Sequence, residues 1–228
     1  MAAVFLGVPS FGQTNTPAAG QGSDPVQSPE PRDKRLFGII PNYRTSVLPN
    51  PYKPISAKEK FKIGRDDVFD RGTVVLAAAF AGGSQLSNSD RSFGQGVEGY
   101  GHYFITAYAD LAIGNMMTES VFPTILHQDP RYFRRGTGSG KSRLGYALKQ
   151  IFWTHTDSGG TQFNYSEIVG NSAAVAISTA YYPEGRDAST AVSKLGTQVA
   201  VDMLGNVLKE FWPDIRRKYS HRSAPDKH

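Results

Sequence analysis

The longest apolar pattern in the chain covers residues 99–126 and leaves almost no polar face. Between residues 103 and 117, the polar interruptions are Thr106, Asp110 and Asn115. A surface helix keeps a polar face, whereas a helix that is apolar on all sides is normally buried. Pro130 disfavours helical geometry at the residue before it, so the helix should end near His127. The pattern therefore predicts a buried central helix.

Five shorter stretches with helical character flank this central helix. They cover residues 57–67, 73–86, 143–154, 165–180 and 189–211. Ser56 and Glu59 fit a capping box at the start of the first stretch. Asp70 and Ser142 are the candidate caps of the second and third stretches. Trp212-Pro213 is expected to interrupt the last helix, because proline removes a backbone donor.

Small residues recur inside these stretches, for example at Gly170 and Ala174 and again at Gly196 and Ala200. Glycine inside a helix costs roughly 1 kcal/mol relative to alanine, so its repetition needs a reason. Close approach of neighbouring helices is the usual one. We therefore expect an all-α fold, a compact bundle of about five or six helices packed through small residues, with a disordered N-terminal segment.

The N-terminus has features of a secretory signal peptide. Residues 2–8 are apolar, and Ser10 and Gly12 are small residues at the −3 and −1 positions of a cut before Gln13. The basic residues that normally precede the apolar run are missing. We interpret residues 1–12 as a signal-peptide remnant and expect export to the periplasm or cell envelope, peripheral to a membrane. A disordered, slightly apolar leader is the alternative.

Composition divides the rest of the chain into three parts. Residues 13–34 are rich in Gln, Pro, Ser and Gly, which predicts a disordered linker. Residues 35–219 form the predicted helical domain, and its first twenty residues should be extended because prolines interrupt them. Residues 220–228 are predicted to be a flexible basic tail.

The formal net charge is +5, and much of the positive charge lies in residues 131–143 and after Lys209. A basic cluster suits an anionic partner, and a solvated charged face is the alternative. The chain has no cysteine, which excludes disulfides and thiolate metal sites.

The motif HQDPRYFRR, residues 127–135, is the sharpest local feature. His127 and Asp129 are candidates for a general base and the group that orients it. In the structural alternative, Asp129-Pro130 forms a turn, the two aromatic residues pack it down, and an arginine pairs with a buried acid. Cations in and just after the motif are candidate anion-binding residues, because guanidinium and ammonium groups donate charge-assisted hydrogen bonds. They are Arg131, Arg134, Arg135, Lys141 and Arg143.

Two acids, Asp110 and Glu119, lie on the central helix. Nine residues separate them, so their side chains point in directions about 180° apart. Buried carboxylates are costly unless they are paired. We expect both acids to be paired, and we expect Asp110 to meet an arginine, a lysine or a helix N-terminus from another segment.

Several familiar sites are not indicated. Gly140-Lys141-Ser142 resembles the end of a phosphate-binding loop, but Arg135 stands where that motif needs glycine. The five histidines show no metal-binding spacing, and the chain has no GxSxG nucleophile elbow. We expect no metal, no cofactor and no nucleic-acid partner.

Five segments resemble a family of uncharacterised, exported bacterial envelope proteins. The segments are FGIIPNYR (37–44), SFGQGVEGYG (92–101), HQDPRYFRRGTGS (127–139), FNYSEIVGNSAAVAISTAYYP (163–183) and LKEFWPDIRRK (208–218). The resemblance implies export and a shared fold, and it carries over no catalytic residue.

The favoured hypothesis is a non-enzymatic envelope protein that associates peripherally with an anionic membrane surface or a protein partner. Its binding surface would be the loop 131–143 together with the C-terminal tail, and small-residue helix faces would allow self-association. The alternative is a hydrolase or transferase acting on a phosphate-bearing substrate. That enzyme needs His127, Asp129 and a second acid to line one pocket.

Overall fold

The computed structural model describes residues 35–38, 40–49, 51–182, 184 and 186–222. The predicted signal-peptide remnant and linker, residues 1–34, lie outside these residues. The last six residues of the predicted tail lie outside them as well.

The described residues form a mostly helical fold. Its helices are α1 (Ala57–Val68), α2 (Arg71–Leu86), α3 (Gly96–Met116), α4 (Phe122–Ile125), α5 (Gly140–Lys149), α6 (Tyr165–Ser178) and α7 (Ala188–Arg222). A π-helical turn, Met117–Val121, joins α3 to α4. Helix α3, the π-helical turn and α4 follow one another without a break, and we call them together the rod. With the rod counted as one helix, the prediction of about five or six helices is confirmed.

Short strands tie the connecting segments together in pairs. Strands β1 (Arg35–Leu36) and β2 (Ile40–Pro41) pair antiparallel, and β3 (Thr45–Ser46) pairs parallel with β4 (Tyr132–Phe133). Strands β5 (Trp153–His155) and β6 (Thr161–Phe163) form a small antiparallel hairpin. The N-terminal extended segment is thereby fixed to the motif at residues 127–135.

Local sequence explains the helix starts. Ser56 and Glu59 form the predicted capping box of α1, and the Asp70 carboxylate accepts from Gly72 N at the start of α2. The cap of α5 is Ser139 rather than the predicted Ser142, whose backbone N–H donates to the Ser139 hydroxyl. Helix α5 also ends earlier than expected, because the chain turns into β5.

The predicted break at Pro213 is wrong, since α7 continues through it to Arg222. Proline removes one helix hydrogen bond, which weakens that turn. Arg134 Nε and Arg143 Nη2 both donate to the carbonyl oxygen of Glu210 in this turn. These bonds from outside the helix support the backbone beside the proline, and α7 extends into the segment predicted to be a tail.

The buried centre of the rod is its π-helical turn rather than α3. Most of α3 is half-buried and Ile105 is exposed, so the prediction of a buried central helix holds for the π-helical turn but not for α3. Pro123 has no N–H to donate, and a π-turn directly before it accommodates the missing bond. Thr118, Glu119 and Ser120 of this turn are buried against α1 and α6.

Close helix approach occurs at two glycines beside this turn. A Cβ atom on Gly170 of α6 would lie 2.9 Å from Thr118 Cγ2, and one on Gly64 of α1 would overlap the Ser120 hydroxyl. Gly114 and Gly196 would meet nothing within 4 Å. The prediction of close helix approach therefore holds at Gly170 of α6 but not at Gly196 of α7.

Polar side chains outnumber apolar ones among the buried residues that the structure describes. Buried polar groups are costly unless they are paired, so these side chains must form internal networks. Two such networks contain several of the candidate functional residues. None of the helices in the described ranges is both long and apolar enough to cross a membrane.

Candidate functional site

Asp129 is the buried centre of the motif at residues 127–135. Its carboxylate accepts from Tyr52 Oη at 2.6 Å and from Arg131 Nε and Nη2 at 3.0 and 2.6 Å. Burial, followed by the bond to Asp129, raises the pKa of Tyr52, so the phenol remains a donor. These partners hold Asp129 in the turn and leave it no histidine to orient.

His127 points away from Asp129. Its side chain is 84% exposed, and its Nδ1 lies 3.8 Å from Asp157 Oδ2. The cavity beside Asp129 and Arg131 also includes Glu167 but has a volume of only about 30 Å³, room for one water. The geometry that the enzyme alternative requires is therefore not present at this loop.

Glu210 of α7 gathers the cations that follow the motif. Its fully buried carboxylate accepts from Arg143 Nε at 2.8 Å, Tyr132 Oη at 2.9 Å and the backbone N–H groups of Arg135 and Gly136. Burial alone would raise the pKa of Glu210, but these hydrogen bonds outweigh it and lower the pKa. We call this group of residues the Glu210 network.

The next acid of α7 completes the Glu210 network. Asp214 lies 3.2 Å from Arg134 Nη2 and 2.6 Å from Arg143 Nη1. Three of the five predicted anion-binding cations, Arg131, Arg134 and Arg143, thus pair with acids of the chain itself. Arg135 and Lys141 are exposed, and Arg135 lies over the Tyr146 ring while donating to Ser142.

A second network of charges lies at the π-helical turn, and we call it the buried cluster. Glu119 Oε1 lies 3.2 Å from Arg44 Nε, without hydrogen-bond geometry. Asp67 of α1 interacts with Glu119, and each carboxyl has one buried oxygen with no donor among the described residues. A proton held between the two carboxyls would satisfy both oxygens.

The other half of the buried cluster joins α6 to α7. Asn171 Nδ2 donates to Glu167 Oε1 at 3.0 Å and to Asp202 Oδ2 at 3.3 Å, so it bridges the two carboxyls. Burial, and then the adjacent Asp202 carboxylate, raises the pKa of Glu167 well above its usual value. Lys209 lies in the same cluster, and burial lowers its pKa to about 8.

Charge balance explains how the buried cluster is tolerated. Two cations, Arg44 and Lys209, face four carboxyl groups on Asp67, Glu119, Glu167 and Asp202. The cluster becomes neutral when the Asp67–Glu119 pair and the Glu167–Asp202 pair each hold one proton. Burial raises the pKa values of Asp67 and Glu119 as well as that of Glu167, in the direction that this balance requires.

The buried cluster opens toward a groove between α3 and α7, whose floor is α6. The groove has a volume of about 430 Å³. Asp202, Asn171 and Thr118 lie where the groove meets the buried cluster. At the other end are Asp110 and Lys194. The arrangement can hold protons, through the buried carboxyls, beside a cavity large enough for a small ligand.

Asp110 and Glu119 are placed in different surroundings. Asp110 accepts hydrogen bonds from the hydroxyls of Tyr181 and Tyr182, and the ammonium group of Lys194 on α7 acts on it electrostatically, as expected of a lysine from another segment. Glu119 joins the buried cluster beside Arg44. The two acids therefore have different partners in the fold.

Sequence reasoning missed Glu167, Asp202, Lys209 and Glu210. A signal for Glu210 is present, because it and Asp214 lie four residues apart on one helical face. Residues 130–156 contain six cations and no acid, so these cations needed acids from elsewhere. No local signal marks the buried cluster, whose members come from segments far apart in the chain.

Among the described residues, no group of three or more His, Asp or Glu side chains is arranged to hold a metal ion. No family model matches the chain, and neither a curated protein nor a solved structure is significantly similar to it. The resemblance to exported envelope proteins stays a prediction.

Proposed function

We propose that the protein is a non-enzymatic, exported protein of the bacterial cell envelope that binds peripherally to an anionic membrane surface. The observation that supports this most is the outer face of α5, where exposed apolar side chains lie among cations in an acid-free stretch. We call it the α5 face. It consists of Arg135, Lys141, Leu144, Leu148, Lys149, Phe152 and Trp153.

The inner side of α5 fixes the direction of this face. Arg143 pairs with Glu210 and Asp214, and its guanidinium lies over the Phe211 ring. Ala147 is fully buried. The opposite side of α5 must therefore point outward, with Leu144 and Leu148 one turn apart.

The chemistry of the α5 face suits lipid headgroups. An interfacial helix places an apolar stripe at the acyl boundary and cations at the headgroups. Lys149 Nζ lies 5.7 Å from the Trp153 ring centroid, so aromatic and cationic groups are adjacent. Each lysine or arginine near an anionic surface contributes about 1 kcal/mol. This replaces the predicted surface on the whole 131–143 loop, because most arginines of that loop are paired internally.

Vesicle co-sedimentation tests the proposal. The full chain should bind phosphatidylglycerol vesicles at low salt, bind them weakly at high salt, and not bind phosphatidylcholine vesicles. Lys141→Glu with Lys149→Glu should weaken binding at least tenfold. Lys58→Glu with Arg71→Glu makes the same charge change at exposed positions on α1 and α2 and should leave most of the binding intact.

Two outcomes would contradict the proposal. The first is equal loss of binding in both double variants, which would show attraction by net charge alone. The second is no binding to either kind of vesicle, which would favour a protein partner. Blue-shifted fluorescence on vesicle addition, lost in Trp153→Phe, would place the α5 face at the lipid.

A further inference from the structure

The groove between α3 and α7 has the size of a small-molecule site and lies apart from the α5 face. Its volume of about 430 Å³ falls within the usual range for ligand pockets. Residues 107–115 of α3 and Thr118 of the π-helical turn form one wall, and residues 190–202 of α7 form the other. Each wall is about three helical turns long, so the groove suits an elongated ligand.

One end of the groove is rich in hydrogen-bond acceptors. Gln198 and Asp202 are four residues apart on α7 and therefore neighbours on one face. Gln198 Oε1 is buried, and no group in the described chain donates to it. Thr118 Oγ1 gives its proton to the Gly114 carbonyl, so its lone pairs remain acceptors. Unsatisfied buried acceptors favour a ligand that donates hydrogen bonds.

Among the residues that line this end of the groove, Asp202 is the charged one, which favours a cationic ligand. Lys194, the cation among the lining residues, lies at the other end, with its Nζ 3.5 Å from the Tyr182 ring centroid and near Asp110. Eight residues separate Lys194 from Asp202, or about 12 Å along the helix. Glu167 faces Asp202 from α6, and Arg44 and Lys209 act on Asp202 from the buried side.

We propose that the groove binds the primary ammonium group of an elongated organic ligand at Asp202 and Gln198. An ammonium group has three N–H donors, which match the carboxylate, the amide oxygen and the Thr118 hydroxyl. Leu111 and Val201 line the groove and give an aliphatic stem apolar contacts. The proposal goes beyond membrane binding, which uses a different surface.

A matched set of six-carbon probes tests the charge preference. Calorimetric titration of the full chain at pH 7 compares n-hexylammonium with hexanol and hexanoate, which have the same stem and a neutral or negative head. We expect saturable binding of hexylammonium, at least tenfold tighter than that of either other probe. Equal affinity for hexanol, or no saturable binding of hexylammonium, overturns the proposal.

Variants locate the site. Asp202→Asn keeps the side-chain shape and should weaken hexylammonium binding at least tenfold. Gln198→Met leaves the buried cluster intact and should weaken hexylammonium binding several-fold. This second variant keeps the test valid if Asp202→Asn fails to fold. Asp66→Asn removes a half-buried acid of α1 that does not line the groove, and it should change nothing. Unchanged binding in Gln198→Met, or equal weakening in Asp66→Asn, contradicts the site.

Discussion

The Glu210 network and the buried cluster solve the problem of buried charge in different ways. Glu210 has a full set of donors and stays ionised, with the charge of Arg143 beside it. In the buried cluster, carboxyl groups outnumber cations two to one, so neutrality requires bound protons. Glu119 and Glu167 are the groups whose pKa values rise most clearly for this reason.

The difference shows that burial does not determine the charge of an acid; its neighbours do. Donors surround Glu210, whereas a second carboxyl lies beside Glu119 and beside Glu167. Replacing a carboxylate by a neutral amide should therefore be harmful in one network and mild in the other. That contrast separates the two networks experimentally.

The largest effect is expected when the Glu210 network is broken. Glu210→Gln keeps the volume but removes the negative charge, so the guanidinium of Arg143 loses its fully buried partner and is left with the partly exposed Asp214. Breaking a buried pair in this way costs about 3–5 kcal/mol of unfolding free energy. Urea unfolding at pH 7 measures the loss. Asp66→Asn, at a largely exposed ion pair, should cost less than about 1 kcal/mol.

The pH dependence of stability should have opposite signs in the two networks. Raised carboxyl pKa values mean that the folded state holds protons that the unfolded state has released. Above the ordinary carboxyl pKa near 4.5, the free energy of unfolding should therefore fall as pH rises. The slope is about 1.4 kcal/mol per pH unit for each proton held. The slope should apply below about pH 7, because Lys209 titrates around pH 8 in the folded state.

The lowered pKa of Glu210 acts in the other direction. The contribution of Glu210 to the free energy of unfolding is complete above the ordinary pKa of 4.5. It is lost as pH falls through the lower pKa that Glu210 has in the folded state. Urea unfolding between pH 3 and pH 8 should therefore show maximal stability in mildly acidic solution. Stability that is constant from pH 5 to pH 7.5 would contradict the proton-sharing cluster.

The smallest effect is expected from Glu167→Gln. The amide is neutral, like the protonated acid, and can still donate to Asp202. The variant should cost less than about 1 kcal/mol at pH 6, because no buried charge loses its partner. It should also reduce the slope of stability against pH by one proton. A loss of unfolding free energy as large as that expected for Glu210→Gln would mean that Glu167 is ionised in the folded protein.

Helix positions were predictable because they depend on local patterns. The capping box at Ser56 and the stripe at Gly170 and Ala174 are encoded within a few residues. The extent to which α3 is buried was not predictable, because an apolar sequence indicates burial but does not show which segments cover the helix. Pro213 was misread for a similar reason, since the arginines that support its turn come from residues some 70 positions earlier.

In the candidate sites, too, local features could be predicted from the sequence and contacts between distant segments could not. The motif at residues 127–135 was visible in the sequence, but its partners on α7 were not. Members of the buried cluster have no shared spacing, and only the fold brings Arg44, Glu119 and Lys209 together. Spacing along the central helix predicted that Asp110 and Glu119 do not form one site, yet it could not show that tyrosines would meet Asp110.

The number of protons released on unfolding tests the buried cluster most directly. At pH 7 ordinary carboxyl groups are ionised in the unfolded chain. Unfolding the full chain with urea at this pH, without buffer, should release about two protons per molecule, one from each carboxyl pair. The double variant Glu119→Gln with Glu167→Gln should release close to none. Release of no protons by the unmodified chain would contradict the account.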